Sequence, residues 1–264
     1  MIFDTHAHYD DEQFDEDRER LLLSLAENNI GRVVNIGANI QSTKATVALT
    51  KKYPFIYGAV GVHPSDAGEM NEDVLAWLKS LTALEKIVAV GEIGLDYYWD
   101  KEEDVRENQK KWFIRQLEMA RECDLPVSIH SRDAAKDTLD IMKEYGKDLG
   151  GVIHCFSYSV EMAREYVKMG YYIGVGGVVT FKNAKAIKAV VKDIPLERIV
   201  VETDCPYLAP VPNRGKRNSS LNLPWVIREI SQIKGVSQEE VEAVTWKNAM
   251  DLYRMKDGSR EVIL

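Results

Sequence analysis

Cysteine is scarce in this 264-residue chain. Its three cysteines, Cys123, Cys155 and Cys205, are widely spaced, odd in number and without a C-x-x-C pair. Such a set argues against a framework of disulfide bonds and for a reducing compartment. The sequence also lacks a basic N-terminal region followed by a long apolar run, and no segment approaches the length of a membrane span. We therefore expect a cytoplasmic protein that does not enter a membrane.

Positive charge is in deficit. The chain carries 34 lysines and arginines against 42 aspartates and glutamates, a formal net charge of −8 at pH 7. No global positive field can hold long nucleic acid non-specifically, so any anionic substrate must be bound by local groups. The G-x-G-x-x-G fingerprint of a dinucleotide site is also missing. With 45% hydrophobic residues, the chain can bury a sizeable core, as one large barrel or as two small domains.

Eight short apolar segments are present, each rich in valine, isoleucine or tyrosine. Their length and composition are typical of buried parallel strands, and most carry polar or glycine residues at their C-terminal end. The segments are residues 1–8, 32–38, 56–64, 87–96, 125–132, 151–156, 171–177 and 199–206.

Helical patterns separate these segments. The clearest ones run from Asp15 to Asn28 and from Glu103 to Arg121, with apolar residues at helical spacing. Weaker helical patterns, and a last predicted helix, lie at 42–52, 72–81, 134–145, 160–169, 184–191, 225–233 and 239–253.

The number of strand–helix units predicts the fold. Eight such units in a chain of this length are typical of a single-domain TIM (β/α)8 barrel of the α/β class, here with an extra C-terminal helix that packs under the barrel or along its side. Because no linker rich in Pro, Gly or Ser divides the chain, we assign residues 1–257 to the barrel and 258–264 to a short tail. An open doubly wound sheet is the alternative, which the missing dinucleotide fingerprint disfavours.

Every histidine of the chain falls near the C-terminal end of a predicted strand. The chemistry of such barrels is located at those ends, so these side chains are expected to converge. Random placement would rarely give this pattern, whereas a metal centre requires it. The polar residues at the strand ends are His6 and His8 on strand 1, His63 on strand 3, Glu92 on strand 4, His130 on strand 5, His154 on strand 6 and Asp204 on strand 8.

Six of these residues predict a metal centre. Imidazoles and carboxylates without a thiolate cluster suit Zn²⁺, Mn²⁺ or Mg²⁺. Six donors exceed one tetrahedral site with an open position, so we expect two divalent ions, as in phosphoester and amide hydrolysis. The alternative is that all six are polar caps of the barrel, which requires six coincidences. By barrel order, one ion takes His6, His8 and Asp204, the other takes His130 and His154, and Glu92 bridges them.

Further motifs occur in order along nearly the whole chain. They are FDTHAHYD, GVHP, GEIGLDYYWD, LPVSIHSRDA, HCFS, GVVTFKNA and ETDCPYLAP followed by NRGKRN, together with Gln109, Phe113, Gln116, Leu117 and Ala120. This set resembles the TatD family of metal-dependent deoxyribonucleases, within the amidohydrolase-like barrels. The resemblance implies a two-metal phosphodiesterase that acts on DNA, often from the 3′ end, with the same six residues on the family's ligand positions. Cys205 and the stretch NSSLNLP after Arg217 depart from the family's usual residues.

Two of the six donors have expected catalytic roles. If two ions are bound, a water molecule between them would be acidified and would attack an in-line phosphodiester. Asp204 would accept the proton of that water as general base, as an aspartate at the last strand does across the amidohydrolase-like barrels. Glu92 would act beside it as the bridging ligand.

Substrate contacts are predicted at five other positions. His63 precedes a proline and either donates to a phosphate oxygen or caps the turn. Arg132 either contacts a phosphate or forms a salt bridge with Asp133 or a neighbouring helix. The basic loop after strand 8 either binds the DNA backbone or is an ordinary solvated loop; its cations are Arg214, Lys216 and Arg217.

Two further expectations concern neighbours of these residues. The aromatics of YYWD at 97–100 lie in the loop after strand 4, where a terminal base could stack, but we expect at least two of the three to pack in the core. Cys155 and Cys205 adjoin predicted ligands and should point the opposite way by strand alternation, as packing residues.

The functional prediction is a metal-dependent deoxyribonuclease that acts as an exonuclease, because an open barrel mouth with few basic residues suits a strand end. The 3′–5′ direction is what the resemblance implies. The alternative is a binuclear-metal amide or ester hydrolase with a small or aminoacylated substrate, which the basic loop disfavours. A third possibility is a binding protein without activity, which the intact ligand set disfavours. No membrane and no obligatory protein partner are expected.

Overall fold

The computed structural model describes residues 1–255 of the chain. The predicted tail at 258–264, and the domain boundary before it, lie outside the described residues. Strands and helices alternate along this part of the chain, as the sequence predicts. The strands are β1 Ile2–Ala7, β2 Ile30–Ile36, β3 Ile56–Val60, β4 Ile87–Asp96, β5 Val127–Arg132, β6 Gly151–Ile153, β7 Tyr172–Val175 and β8 Ile199–Val201.

Four of the nine α-helices in residues 1–255 begin at a side-chain cap. Side chains of Asn39, Asn71, Ser159 and Ser237 each accept a hydrogen bond from a backbone N–H of the turn that follows, which satisfies a donor left free at a helix start. The helices are α1 Arg18–Ser24, α2 Ile40–Lys52, α3 Glu72–Leu81, α4 Glu103–Glu122, α5 Ala135–Tyr145, α6 Val160–Lys168, α7 Lys185–Asp193, α8 Leu223–Lys234 and α9 Gln238–Leu252.

The eight strands form one parallel sheet in chain order. The sheet closes between β1 and the segment after β8, where the N–H of His8 donates to the carbonyl of Cys205 and the N–H of Asp204 donates to the carbonyl of His6, both at 2.9 Å. The prediction of a single (β/α)8 barrel is confirmed. The closing seam holds three predicted ligands, His6, His8 and Asp204, side by side.

The added helix α9 lies under the barrel. Phe3 of β1 packs against Trp246 and Tyr253, with ring centroids 5.7 and 5.8 Å apart, and the Tyr253 hydroxyl donates to the carbonyl of Thr5 at 2.8 Å. The strands are apolar because both of their faces are buried. Helices cover the outer face, and a separate apolar cluster that includes Phe3 and Tyr253 fills the barrel interior. The closed bottom leaves the C-terminal end of the barrel for the site. Within residues 1–255, no helix is long and apolar enough to cross a membrane.

Several predicted boundaries were wrong. The helix predicted from Asp15 to Asn28 is divided into α1 and a 3₁₀ turn that ends where Asn29 adopts a left-handed φ of 65°. β6 and β8 stop before His154 and Asp204, because Cys155 and Asp204 have φ values of 45° and 54° and leave the pleated strand. Both predicted ligands therefore lie in the loops that follow these strands. Glu92, by contrast, lies inside the long strand β4.

We predict that Gly94→Ala in β4 destabilises the protein by about 3 kcal/mol or more. Gly94 has a φ of +149°, and a Cβ there would lie 1.9 Å from the carbonyl oxygen of His130 on β5. Backbone strain and overpacking each cost about 1–3 kcal/mol. Gly68→Ala is the control, since a Cβ there meets nothing within 4 Å, and its effect should stay within about 0.5 kcal/mol. Urea unfolding measures both, and equal stabilities of the two variants would contradict the close β4–β5 approach.

Candidate metal centre

A cavity of about 850 Å³ opens at the C-terminal end of the barrel. His6 is fully buried and does not line it. The basic residues Arg214, Lys216 and Arg217 do not line it either. The predicted site residues that line the cavity are His8, His63, Glu92, His130, Arg132, His154 and Asp204.

Glu92 lies at the centre of the cluster. Its Oε2 atom lies 3.4 Å from His6 Nε2 and 3.6 Å from His8 Nε2. Its Oε1 atom lies 2.8 Å from both His130 Nδ1 and His154 Nε2. Each oxygen of one carboxylate therefore faces its own pair of imidazoles, which is the arrangement a carboxylate needs to lie between two ions.

The two histidines of β1 converge as the His-x-His spacing predicts. His6 Nε2 and His8 Nε2 lie 3.1 Å apart. His8 Nδ1 lies 3.0 Å from the carbonyl oxygen of Ile36, so this nitrogen donates and Nε2 faces the cluster. His6 Nδ1 lies 3.3 Å from the Ser128 hydroxyl. A contact at Nδ1 thus orients each of the two rings, as is common for ligating histidines.

The second imidazole pair comes from β5 and the loop after β6. His154 Nε2 lies 3.4 Å from His130 Nδ1, and His130 Nε2 lies 3.1 Å from Asp96 Oδ2. The His154 ring stacks on that of His6, with centroids 3.9 Å apart and planes at 11°. His154 Nδ1 has no hydrogen-bond partner within the described chain and lies 3.8 Å from Glu202 Oε1. The His6–His154 stack joins the two pairs into one cluster.

Asp204 completes the side of the cluster next to β1. Its Oδ1 atom lies 3.5 Å from His8 Nε2 and 3.8 Å from His6 Nε2. Its side chain remains 18% exposed, whereas that of His6 is fully buried. Asp204 is therefore the carboxylate of this group that a water molecule in the cavity can reach.

Protonated imidazoles balance the carboxylates when no ion is bound. Burial would lower the pKa of His8, but its hydrogen bond to Asp204 and the nearby carboxylate charges raise it to about 9. Burial likewise opposes the charged form of His154, but Glu92 above all raises its pKa to about 10. Burial would raise the pKa of Glu92 and of Asp204, yet the surrounding imidazoles hold both below their usual range.

His63 makes the turn-capping contact and also faces the cavity. Its Nδ1 accepts a hydrogen bond from the backbone N–H of Ser65 at 3.1 Å, and its Nε2 lies 3.8 Å from Glu92 Oε1. Burial, and then the charge of His130, lowers the pKa of His63 to about 3. The ring is therefore neutral at pH 7 with its proton on Nε2, which is a hydrogen-bond donor toward the cavity.

Arg132 lines the cavity and forms no salt bridge with any residue of the described range. Its guanidinium carbon lies 3.8 Å from the centroid of the Tyr98 ring. Neither the predicted bridge to Asp133 nor one to a helix occurs within residues 1–255. The Tyr98 ring therefore positions the Arg132 guanidinium, and no residue of the described range accepts a hydrogen bond from its N–H groups.

The other three predicted cations lie apart from the cavity. Arg217 forms a two-bonded ion pair with Asp17, at 2.8 and 2.7 Å, which ties the basic loop to the start of α1. Arg214 lies over the ring of Phe181 at 4.3 Å, and Lys216 is exposed. Arg217 is thus engaged in a structural contact, whereas Arg214 and Lys216 lie on the outer surface of the loop.

Sequence reasoning missed two carboxylates of the cluster, Asp96 and Glu202. Asp96 contacts His130 at Nε2, and Glu202 lies next to Nδ1 of His154. Burial raises the pKa of Glu202 to about 7, and its Oε2 atom has no hydrogen-bond partner in the described structure. A period-two signal was available, because Asp96 follows Glu92 by four residues and Glu202 precedes Asp204 by two.

The prediction for Cys155 was wrong, whereas Cys205 is fully buried as expected. Cys155 lines the cavity, because β6 ends at Ile153 and strand alternation no longer applies two residues later. Burial raises the pKa of the Cys155 thiol well above its usual value, so the thiol remains protonated.

The prediction that at least two aromatics of the loop after β4 pack in the core was also wrong. Only Tyr97 packs against the core, and its hydroxyl donates to Asp137 at 2.9 Å. Tyr98 and Trp99 are exposed, and Trp99 lines the cavity.

The donor set fits divalent ions. Three groups of residues have ligand atoms within 4.8 Å of one another, and two of these groups share Glu92. His63, which was not predicted as a ligand, belongs to one of the groups. The groups are His6, His8 and Glu92; His63, Glu92 and His130; and His6, His154 and Glu202.

The chain matches a known family over nearly its whole length. The model of the family described as TatD related DNase matches residues 3–254. A Bacillus subtilis protein, the uncharacterized metal-dependent hydrolase YabD, is 45% identical over 256 residues, which are 97% of this chain and 100% of that protein. A Cronobacter sakazakii protein named 3′-5′ ssDNA/RNA exonuclease TatD is 31% identical over 265 residues, covering 98% and 99% of the two chains.

A solved structure shares the architecture. The crystal structure of YjjV, a TatD homologue from Escherichia coli K12, superposes with a TM-score of 0.89 at 30% identity. The match covers 97% of this chain and 98% of that one.

We predict that divalent ions bind to this cluster with release of protons. His8 and His154 have pKa values of about 9 and 10, so both rings are protonated at pH 7 without an ion, and a ligand imidazole must be neutral. Apparent affinity for Mn²⁺ or Zn²⁺ should therefore rise as the pH rises toward 9. At pH 7, calorimetric titration in buffers of different ionisation enthalpy should show that protons are released on binding. A binding enthalpy that does not depend on the buffer would contradict this.

Proposed function

The chain belongs to the TatD-related DNase family, and from this premise we propose that it is a metal-dependent hydrolase that cleaves DNA phosphodiester bonds and releases nucleotides from the 3′ end. The observation that carries the proposal is Glu92, with one carboxylate oxygen toward each pair of imidazoles. Relatives named as metal-dependent hydrolases, and one named as a 3′–5′ exonuclease, support it.

The other five donors divide into two sets around Glu92. His6, His8 and Asp204 would hold one divalent ion, and His130 and His154 would hold the other. Ions in these positions would acidify a water molecule and neutralise charge on the phosphoryl oxygens. Mg²⁺, Mn²⁺ and Zn²⁺ all suit this mixture of imidazole and carboxylate ligands.

Asp204 is proposed as the general base. Its lowered pKa keeps the carboxylate ionised at pH 7, and its partial exposure lets it accept a proton at Oδ1 or Oδ2 from water in the cavity. Its contact with His8 fixes the carboxylate on the β1 side of the cluster. The proton would therefore be held at the seam of the barrel, next to the reacting phosphate.

His63 and Arg132 are proposed as phosphate contacts. The Nε2–H of His63 faces the cavity, and the guanidinium of Arg132 has donors that no carboxylate of residues 1–255 occupies. Charge-assisted hydrogen bonds of this kind bind phosphate oxygens well. Arg214 and Lys216 would contact more distant phosphates of a longer strand, while Arg217 fixes their loop through Asp17.

The proposal includes a cytoplasmic location and no obligatory protein partner. The three cysteines are free within the described chain, which agrees with a reducing compartment.

We predict that the protein, reconstituted with Mg²⁺, Mn²⁺ or Zn²⁺, releases nucleotides from the 3′ end of single-stranded DNA. Asp204→Asn should lower the rate by about 10²–10⁴-fold, because it removes the base and weakens an ion site. End-labelled DNA resolved on a gel measures the release. The control is Asp140→Asn, which alters an exposed carboxylate of α5 that pairs with Lys136 and should leave the rate unchanged.

Two outcomes would contradict the proposal. No metal-dependent release with any of the three ions, from either end of DNA or RNA, would reject the nuclease, and hydrolysis of amide or ester substrates by the same preparation would favour the alternative. A rate that Asp204→Asn leaves unchanged would reject Asp204 as the base while keeping the nuclease.

A further inference from the structure

Trp99 is the most exposed large apolar side chain of the described residues, with 68% of its surface open to solvent. It lines the cavity, as His130 and Arg132 also do. Full burial of a side chain of this size stabilises a protein by a few kcal/mol. The exposed indole of Trp99 does not contribute this stabilisation. An exposed aromatic beside a polar cavity is typical of a binding surface rather than of a core.

The backbone around Trp99 is held at both ends. Asp96 Oδ1 accepts hydrogen bonds from the N–H groups of Tyr98 and Trp99, at 2.9 and 3.4 Å. Gln109 of α4 donates to the Asp100 carboxylate at 2.7 Å. The indole therefore extends from an anchored turn. The same Asp96 contacts His130, which ties the turn to the metal centre.

Arg132 lies beside the indole. Parallel pairing of β4 and β5 places Asp96 opposite Arg132, and the Tyr97 N–H donates to the Arg132 carbonyl at 2.8 Å. The guanidinium lies over the Tyr98 ring and 5.7 Å from the centroid of the Trp99 ring. Among the cavity-lining residues of the described chain, Arg132 is the one lysine or arginine. A flat apolar face and an available cation are thus adjacent at the cavity mouth.

We propose that Trp99 is the stacking site for the unpaired nucleobase at the end of the strand, and that Arg132 binds a phosphate of the same nucleotide. The inference rests on the proposed nuclease function and names the substrate feature that the site selects. Stacking tolerates any base, because every base has a π-face, and a guanidinium adds a charge-assisted contact to phosphate. A base paired within a duplex cannot reach the indole, so the site favours single-stranded or frayed ends.

Tyr207 is the other exposed aromatic of the cavity wall and is a less suitable platform. Its hydroxyl donates to Asp11 at 3.0 Å, which places the carboxylate charge of Asp11 next to the ring. A phosphate approaching that ring would meet the charge of Asp11, whereas one approaching Trp99 meets Arg132.

The test compares two single strands that differ only at the 3′ terminus, one with a normal nucleotide and one with an abasic tetrahydrofuran residue. The wild-type protein should release the base-bearing terminus with a kcat/KM about tenfold or more above that of the abasic terminus. Trp99→Ala should remove this preference and leave the abasic rate unchanged, and Trp99→Phe should keep much of it. The control is Trp225→Ala, which alters an exposed indole of α8 outside the cavity wall and should behave as wild type.

The outcomes separate this inference from the proposed function. Metal-dependent release from neither strand would reject the nuclease and the stacking site together. Release without a preference for the base, an equal loss on both strands in Trp99→Ala, or a loss of preference in Tyr207→Ala instead of Trp99→Ala would reject the stacking site alone and leave the nuclease standing.

Discussion

The structure of the site depends on one buried carboxylate. The Glu92 side chain is only 6% exposed, and a buried charge is tolerated only where opposite charge and hydrogen bonds compensate it. Two pairs of imidazoles compensate the charge of Glu92. One pair is His6 and His8 on β1, and the other is His130 on β5 and His154 after β6. In a closed barrel of eight strands, a side chain of β4 that points toward the axis can reach groups on opposite walls. Glu92 does so, and it joins the seam of the barrel to its opposite side.

Three of the four imidazoles around Glu92, those of His6, His8 and His130, have a partner at their other ring nitrogen. The contacts of His8 with the Ile36 carbonyl and of His130 with Asp96 decide which ring nitrogen faces Glu92. This arrangement leaves lone pairs and carboxylate oxygens converging on one volume, which protons fill in the absence of ions. The Asp96 contact has a second consequence, because the same carboxylate anchors the turn that carries Trp99. The proposed chemistry and the proposed stacking site are therefore linked through one residue.

The barrel and most of the candidate ligand cluster could be predicted because their signals are local. Short valine- and isoleucine-rich segments predict buried strands, and a period of two brings His6 and His8 to one side. Other features depend on contacts that no local pattern encodes. Arg217 pairs with Asp17, 200 residues earlier, and so leaves the cavity that its sequence neighbourhood suggested. Strand alternation predicted that Cys155 points away from the cavity. Because β6 ends earlier than predicted and the backbone at Cys155 is left-handed, its side chain lines the cavity instead.

The position of ions around Glu92 tests the account most directly. Crystals grown with Mn²⁺ would be measured near the manganese absorption edge, and the anomalous difference map would locate the ions. We predict two peaks, one beside each carboxylate oxygen of Glu92. The first should lie within reach of His6, His8 and Asp204, and the second within reach of His130 and His154. In Glu92→Gln at least one peak should be lost. A single ion in the wild-type protein, or two ions that do not contact Glu92, would contradict it.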